Sequence, residues 1–174
     1  MKRWQVSLVI AIAFGLVARG IATPDPAASA PAALGADAIG AVVASANPNL
    51  SGAERRRIGR AILRSSEDND LDPLLVTAII LVESGARPWA LSHKGAVGLM
   101  QVMPHMTEAR MLAGNLTTIE SNVAAGCSIL ADNIRRLGED DGISAYFWGS
   151  DIRGVSYLDR VRAARATVRR LVES

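Results

Sequence analysis

The sequence predicts a compact all-α domain, and three observations carry that prediction. Apolar residues recur at helical spacing in several separate segments, and helix start and stop signals bracket those segments. No stretch alternates apolar and polar residues convincingly over the length of a strand, apart from a short hairpin that a glycine-rich segment would allow. The chain has 174 residues, enough for one domain, and no segment repeats another.

Taken in order, residues 1–22 read as a secretory leader. Lys2 and Arg3 form a positive start, and Val6 to Ala18 form an apolar core too short for a comfortable membrane span. Gly20-Ile21-Ala22 offers a small-x-small cleavage site; Ala28-Ser29-Ala30 is a weaker one, since Pro31 follows it. Export across an inner membrane to the periplasm is the expectation, with an uncleaved leader serving as an anchor as the alternative. No cysteine lies near the leader, so a lipid anchor is not expected. Residues 23–50 are rich in Ala and Pro and nearly free of charge. They read as a flexible tether, with at most a weak helix around Ala36 to Ala46.

The folded domain is expected over residues 51–174. Ser51-Gly52-Ala53-Glu54 fits a capping box, in which the Ser side chain and the Glu side chain each satisfy the other's backbone N–H. Ile58, Ala61, Ile62 and Leu63 supply the inward face of that helix, with Arg55, Arg56, Arg57 and Arg60 outside. Asp72-Pro73 opens the next helix: a capping carboxylate, then a proline where its missing N–H costs nothing. From Leu74 to Val82 only Thr77 is polar, so this helix should be buried almost all round. Gly85 is its expected left-handed stop.

Gly85, Gly95 and Gly98 punctuate an irregular segment up to Met103, and Pro104 starts a short helix. Thr117 to Glu120 begins a longer one, with Val123, Cys127, Leu130, Ile134 and Leu137 in helical register up to Gly138. A shorter helix is expected over Ile143 to Trp148. A final one is expected over Ser156 to Val172, with Leu158, Val161, Val168 and Leu171 inward. A domain of roughly 120 residues is large enough for a real core.

Charge and composition exclude several functions. The whole chain carries 19 Lys and Arg against 17 Asp and Glu. Lys2, Arg3 and Arg19 would leave with the leader and no acid would, so the balance turns slightly negative and no nucleic-acid partner is indicated. Arg160, Arg162, Arg165, Arg169 and Arg170 read as the solvated face of the last helix. The single Cys127 falls in a helical pattern and reads as a small buried apolar residue. Two isolated histidines, His93 and His105, make a poor zinc site, and no cofactor is expected.

Glu83 is the most informative residue. Leu75, Ile79 and Glu83 lie four apart, so its carboxyl flanks an apolar stripe at the negative end of the helix dipole. Desolvation and dipole both oppose ionisation, and a carboxyl that holds its proton near neutral pH suits a general acid. The competing account makes it half of an ion pair with Arg87, four residues on.

Downstream residues decide between the two. They read Glu83-Ser84, then Ser92 nine residues after the Glu, Gly98-Leu99-Met100-Gln101, and Met103-Pro104. With this spaced set the chain resembles the lytic transglycosylases of the soluble, lysozyme-like SLT family, over roughly residues 55 to 170. The resemblance implies an all-α lysozyme-like (goose-type/SLT) fold. The substrate it implies is peptidoglycan, cut at the β-1,4 bond between N-acetylmuramic acid and N-acetylglucosamine to leave a 1,6-anhydro sugar.

It also implies roles. Glu83 acts as acid and then base, and Tyr157 holds it by a hydrogen bond. Ser92 and Gln101 bind sugar at the cleavage point, Met100 and Met103 line the groove, and Tyr146 contributes to substrate binding. The family's Ala-Tyr-Asn-Ala-Gly appears here as Ala145-Tyr146-Phe147-Trp148-Gly149, which alters the sugar contacts but not the acid. Trp89 and Trp148 could stack on sugar rings or pack into the protein. Alternatives to this reading are a lysozyme-like hydrolase on the same fold, a non-catalytic glycan-binding module, and a wall-opening accessory of a secretion apparatus.

Overall fold

Seven helices form the described part of the chain, residues 34–109 and 114–174, in a computed structural model. They are α1 (Ala36–Ala46), α2 (Gly52–Asn69), α3 (Pro73–Ser84), α4 (Pro104–Ala109), α5 (Ile119–Leu137), α6 (Glu139–Trp148) and α7 (Ser156–Val172). The all-α class expected from the sequence is the one found. Among the described residues the only β-pairing is two isolated bridges, Leu91 with Val97 and Val97 with Val102. The leader, both cleavage sites and residues 23–33 of the expected tether lie outside the described residues.

α3 runs through the middle, packed against α7, α2 and α1. Leu75, Val76, Ala78, Ile79 and Ile80 are all buried, as an apolar run without a polar face requires. Asp72 caps it, its carboxylate accepting from the Leu74 N–H at 2.8 Å. Gly85 ends it in the left-handed region at φ 59°. The Ser51 capping box forms in full: Glu54 N–H donates to Ser51 Oγ at 3.2 Å, and Ser51 N–H to Glu54 Oε2 at 2.7 Å. α5 packs against α6 on one side and α2 on the other.

Several expectations fail in detail. Residues 36–46 are no tether: α1 lies along α2 with Ile39, Val42 and Val43 buried. Three apolar side chains on one face of a short, Ala-rich helix suffice once a partner helix is present. The contact is close, because a Cβ on Gly59 of α2 would meet the Ala36 carbonyl oxygen. α6 begins at Glu139 rather than near Ile143. Glu139, Asp140 and Asp141 fill its first turn, where carboxylates favour the positive end of a helix. Leu171, expected inward, is exposed at the end of α7.

The arginine face of α7 is only partly a solvated surface. Arg165 donates from Nε to Asp72 Oδ2 at 2.9 Å and from Nη1 to Glu139 Oε1 at 2.8 Å. One guanidinium thus ties the start of α3 to the start of α6. Arg162 pairs with Asp140 at 2.7 Å.

Candidate active site

Glu83 is the penultimate residue of α3 and is half-buried. Because α7 packs along α3, the first turn of α7 delivers Tyr157 to it. The Tyr157 hydroxyl donates to Glu83 Oε1 at 2.6 Å, the contact expected from the sequence. Tyr157 is 1% exposed. Burial, with the charge of Glu83 beside it, keeps the phenol protonated far beyond its ordinary range, so it serves as a fixed donor.

Burial pushes the Glu83 carboxyl above its ordinary value. The Tyr157 hydrogen bond and the positive charge of Arg160 pull it down without cancelling that effect. The ion-pair account of Glu83 does not hold. Arg87 turns back and donates through Nε to the Ser84 carbonyl at 2.8 Å, closing the end of α3.

The segment after Glu83 is braced from several directions. Asn47, the residue that ends α1, donates to the Ala86 carbonyl at 3.0 Å. Ser92 sits in a turn: its N–H donates to the Ala96 carbonyl, and its hydroxyl oxygen accepts from the Ala96 N–H, both at 2.9 Å. Gly98 takes φ 77° and donates to the Ala90 carbonyl at 2.7 Å. Gln101 adopts φ 49°, unusual for a side-chain-bearing residue. Its amide nitrogen donates to the Gly98 carbonyl at 2.9 Å and the Ala90 carbonyl at 3.3 Å. Ser92 and Gln101 therefore stand on one cross-linked turn, each half-buried.

The other expected substrate residues divide. Met100 is fully buried, so it does not line a groove. Its side chain fills the space over Gly126 of α5, where an added Cβ would meet its sulfur, and it is core packing behind the turn. Met103 is half-buried, just before α4. Tyr146, near the end of α6, donates its hydroxyl to the Met100 carbonyl at 2.9 Å. Burial and the nearby Glu83 raise its pKa well above the ordinary phenol value. Its hydroxyl fixes the main chain of the Gly98–Gln101 turn. Trp89 is 69% exposed and Trp148 half-buried.

Asn122 is the residue that sequence reasoning missed. It is buried on α5 and ties three strands of the loop together. Its Oδ1 accepts from the Met100 N–H at 2.9 Å, and its Nδ2 donates to the Val97 and Leu116 carbonyls at 2.8 and 3.1 Å. The available signal was a polar residue on the face shared by Ile119, Val123 and Gly126. Cys127 is buried, its thiol pushed up to about 12 by desolvation, as an inert packing residue would be. Among the described residues no group of three or more His, Cys, Asp or Glu could hold a metal ion.

The site is thus a half-buried carboxyl group held by a tyrosine in an all-α domain, with a glycine-rich turn following it in the chain. The family model "Transglycosylase SLT domain" matches residues 60–153, more than half of the sequence, and the chain belongs to that family. Tyr157 falls just beyond the matched span.

A transglycosylase of Enterobacteria phage PRD1 is 33% identical over 88 residues, which cover 50% of this chain and 33% of the relative. An endo-type membrane-bound lytic murein transglycosylase A of Klebsiella pneumoniae (strain 342) is 59% identical over 34 residues, 20% of this chain and 17% of the relative. This chain thus spans a third or less of either relative. Among solved structures, an inactive mutant of the lytic transglycosylase Slt of Pseudomonas aeruginosa aligns with TM-score 0.47 at 20% identity. The alignment covers 65% of this chain and 22% of that one.

Proposed function

We propose that the protein is a peptidoglycan lytic transglycosylase that cleaves the β-1,4 bond between N-acetylmuramic acid and N-acetylglucosamine without water. The observation that carries this is the Glu83–Tyr157 pair within an SLT domain: a half-buried carboxyl with raised proton affinity, held by a buried phenol. Protonated Glu83 donates to the leaving glycosidic oxygen while the substrate's own 2-acetamido oxygen attacks the anomeric carbon. The Glu83 carboxylate left behind then takes the proton from the C6 hydroxyl, whose oxygen closes the 1,6-anhydro ring. One carboxyl group serves both steps, where ordinary glycosidases need two.

Five other acids of the domain are engaged in structural contacts, in keeping with a one-carboxylate mechanism. Asp72 and Glu139 are bound by Arg165, Asp140 by Arg162 and Glu120 by Arg57, while Glu54 closes its capping box. In this reading Ser92 and Gln101 hold the sugar at the cleavage point and Met103 borders it. The expected leader would place the enzyme in the periplasm, beside its substrate. No helix of the described residues is long and apolar enough to cross a membrane.

Mass spectrometry of fragments released from purified sacculi tests the proposal. Anhydro-muramyl ends are expected. Ends heavier by one water would make the protein a hydrolase, and intact sacculi would remove the enzymatic reading.

A further inference from the structure

The position where the family pattern carries Asn is Phe147 here, and it builds something. The Phe147 ring stacks on the Tyr157 ring with centroids 4.8 Å apart and planes 14° from parallel. Trp148 meets Phe147 edge-on at 4.9 Å. Arg160, one helical turn after Tyr157, lays its guanidinium over both rings, 5.6 Å from the Tyr157 centroid and 5.9 Å from that of Phe147. Guanidinium groups over aromatic faces are held by the ring quadrupole. Arg160 forms no ion pair with any described acid that would draw it away.

We propose that Arg160 is a positioning residue for Glu83: held at the protein surface over the stacked Phe147 and Tyr157 rings, its guanidinium keeps a positive charge on the far side of the tyrosine that bonds the carboxyl group. The inference rests on Glu83 being the acid of the proposed reaction. Such an acid becomes a carboxylate halfway through and must then act as a base. A nearby cation stabilises that ionised form without taking its proton, while burial favours the protonated form at the start. The groups that act on Glu83 are Tyr157 and Arg160 from α7, and the Tyr146 hydroxyl on α6 senses its charge in turn. Of these, Arg160 alone is charged at neutral pH and can supply a positive field. A small amide at position 147 could not form the platform, so Phe147 and Arg160 work as a pair.

The test is a direct titration of Glu83 by carbon NMR of side-chain-labelled protein, with Glu83→Gln assigning the signal. Arg160→Gln should move the midpoint upward, and Arg160→Lys, which keeps the charge, should recover most of the wild-type value. Phe147→Ala should move it upward by less, and higher ionic strength should shrink all these differences. The alkaline limb of the cleavage profile should rise with the midpoint in Arg160→Gln. An unchanged midpoint in folded Arg160→Gln would overturn the proposal, as would an equal rise in Arg160→Lys. The titration needs no turnover, so an inactive wild-type protein would defeat the proposed function and leave this result readable.

Discussion

The Tyr157 hydroxyl and the Glu83 carboxyl, 74 residues apart in the chain, meet at 2.6 Å because α7 lies along α3. Tyr157→Phe removes this one bond and almost no volume. Stability should fall by only about 0.5–1.5 kcal/mol. Activity should fall further, since the acid loses the group that orients it. The bond lowers the Glu83 pKa, so its loss should move the alkaline limb of the activity profile upward. Denaturation curves and cleavage rates across pH would show both; an unmoved profile would reduce Tyr157 to a packing residue.

Glu83→Gln should keep the fold and remove wall cleavage. The amide is nearly isosteric but has no acidic proton, and general acid catalysis is worth about 10²–10⁴-fold. Turbidity loss of a sacculus suspension, set beside the circular dichroism of the variant, reads the two halves separately. Cleavage near the wild-type rate would refute the central assignment.

The same substitution should alter the pH dependence of stability. Glu83 binds its proton more tightly folded than unfolded, where its ordinary value is 4.5. Folding therefore loses stability as pH rises from below 4.5 through the folded pKa, and the loss persists above it. The Gln variant carries no such titration. Its melting temperature relative to wild type should rise across that window and then level off; a constant difference would show that Glu83 is not perturbed.

Asn122→Ala should be among the most damaging changes outside the site. It strands the Met100 N–H and the Leu116 carbonyl, each at about 1–3 kcal/mol if left unsatisfied, and takes one of two bonds from the Val97 carbonyl, which keeps the Val102 N–H. Hydrogen exchange should accelerate first in residues 90–102. Uniform exchange with wild-type stability would show that the loop holds without Asn122.

Activity should survive EDTA, since the proposed chemistry uses one carboxyl group and substrate atoms. Loss on chelation, reversed by a divalent ion, would refute that.

The sequence was most legible where local signals and burial agree. Asp72-Pro73, the apolar run to Val82 and Gly85 specify α3 completely, and Glu83 stands out because a charge closes a run that has no polar face. The Tyr157 contact was reachable only through a family pattern, since nothing local links residues 74 apart. The α1 helix was legible at Ala36–Ala46, but not its packing, which is fixed by α2 and by the Asn47 contact. Met100 was misplaced because a spaced motif records neighbours in sequence, not which side of a turn a side chain takes. The Phe147–Arg160 pair was hidden for the same reason: stacking depends on how α6 meets α7.

The hydrogen bonds within the glycine-rich turn leave Ser92 and Gln101 with different capacities. The Ser92 oxygen already receives the Ala96 N–H, so it retains its proton to give and one lone pair. Gln101 has spent its amide N–H groups on the Gly98 and Ala90 carbonyls, so what it retains is an oxygen able to receive. In the proposed function, a ligand that bridges the two brings an acceptor to the Ser92 proton and a donor to the Gln101 oxygen. A secondary amide carries both on separate atoms, its carbonyl oxygen and its N–H, where a hydroxyl offers both from a single oxygen.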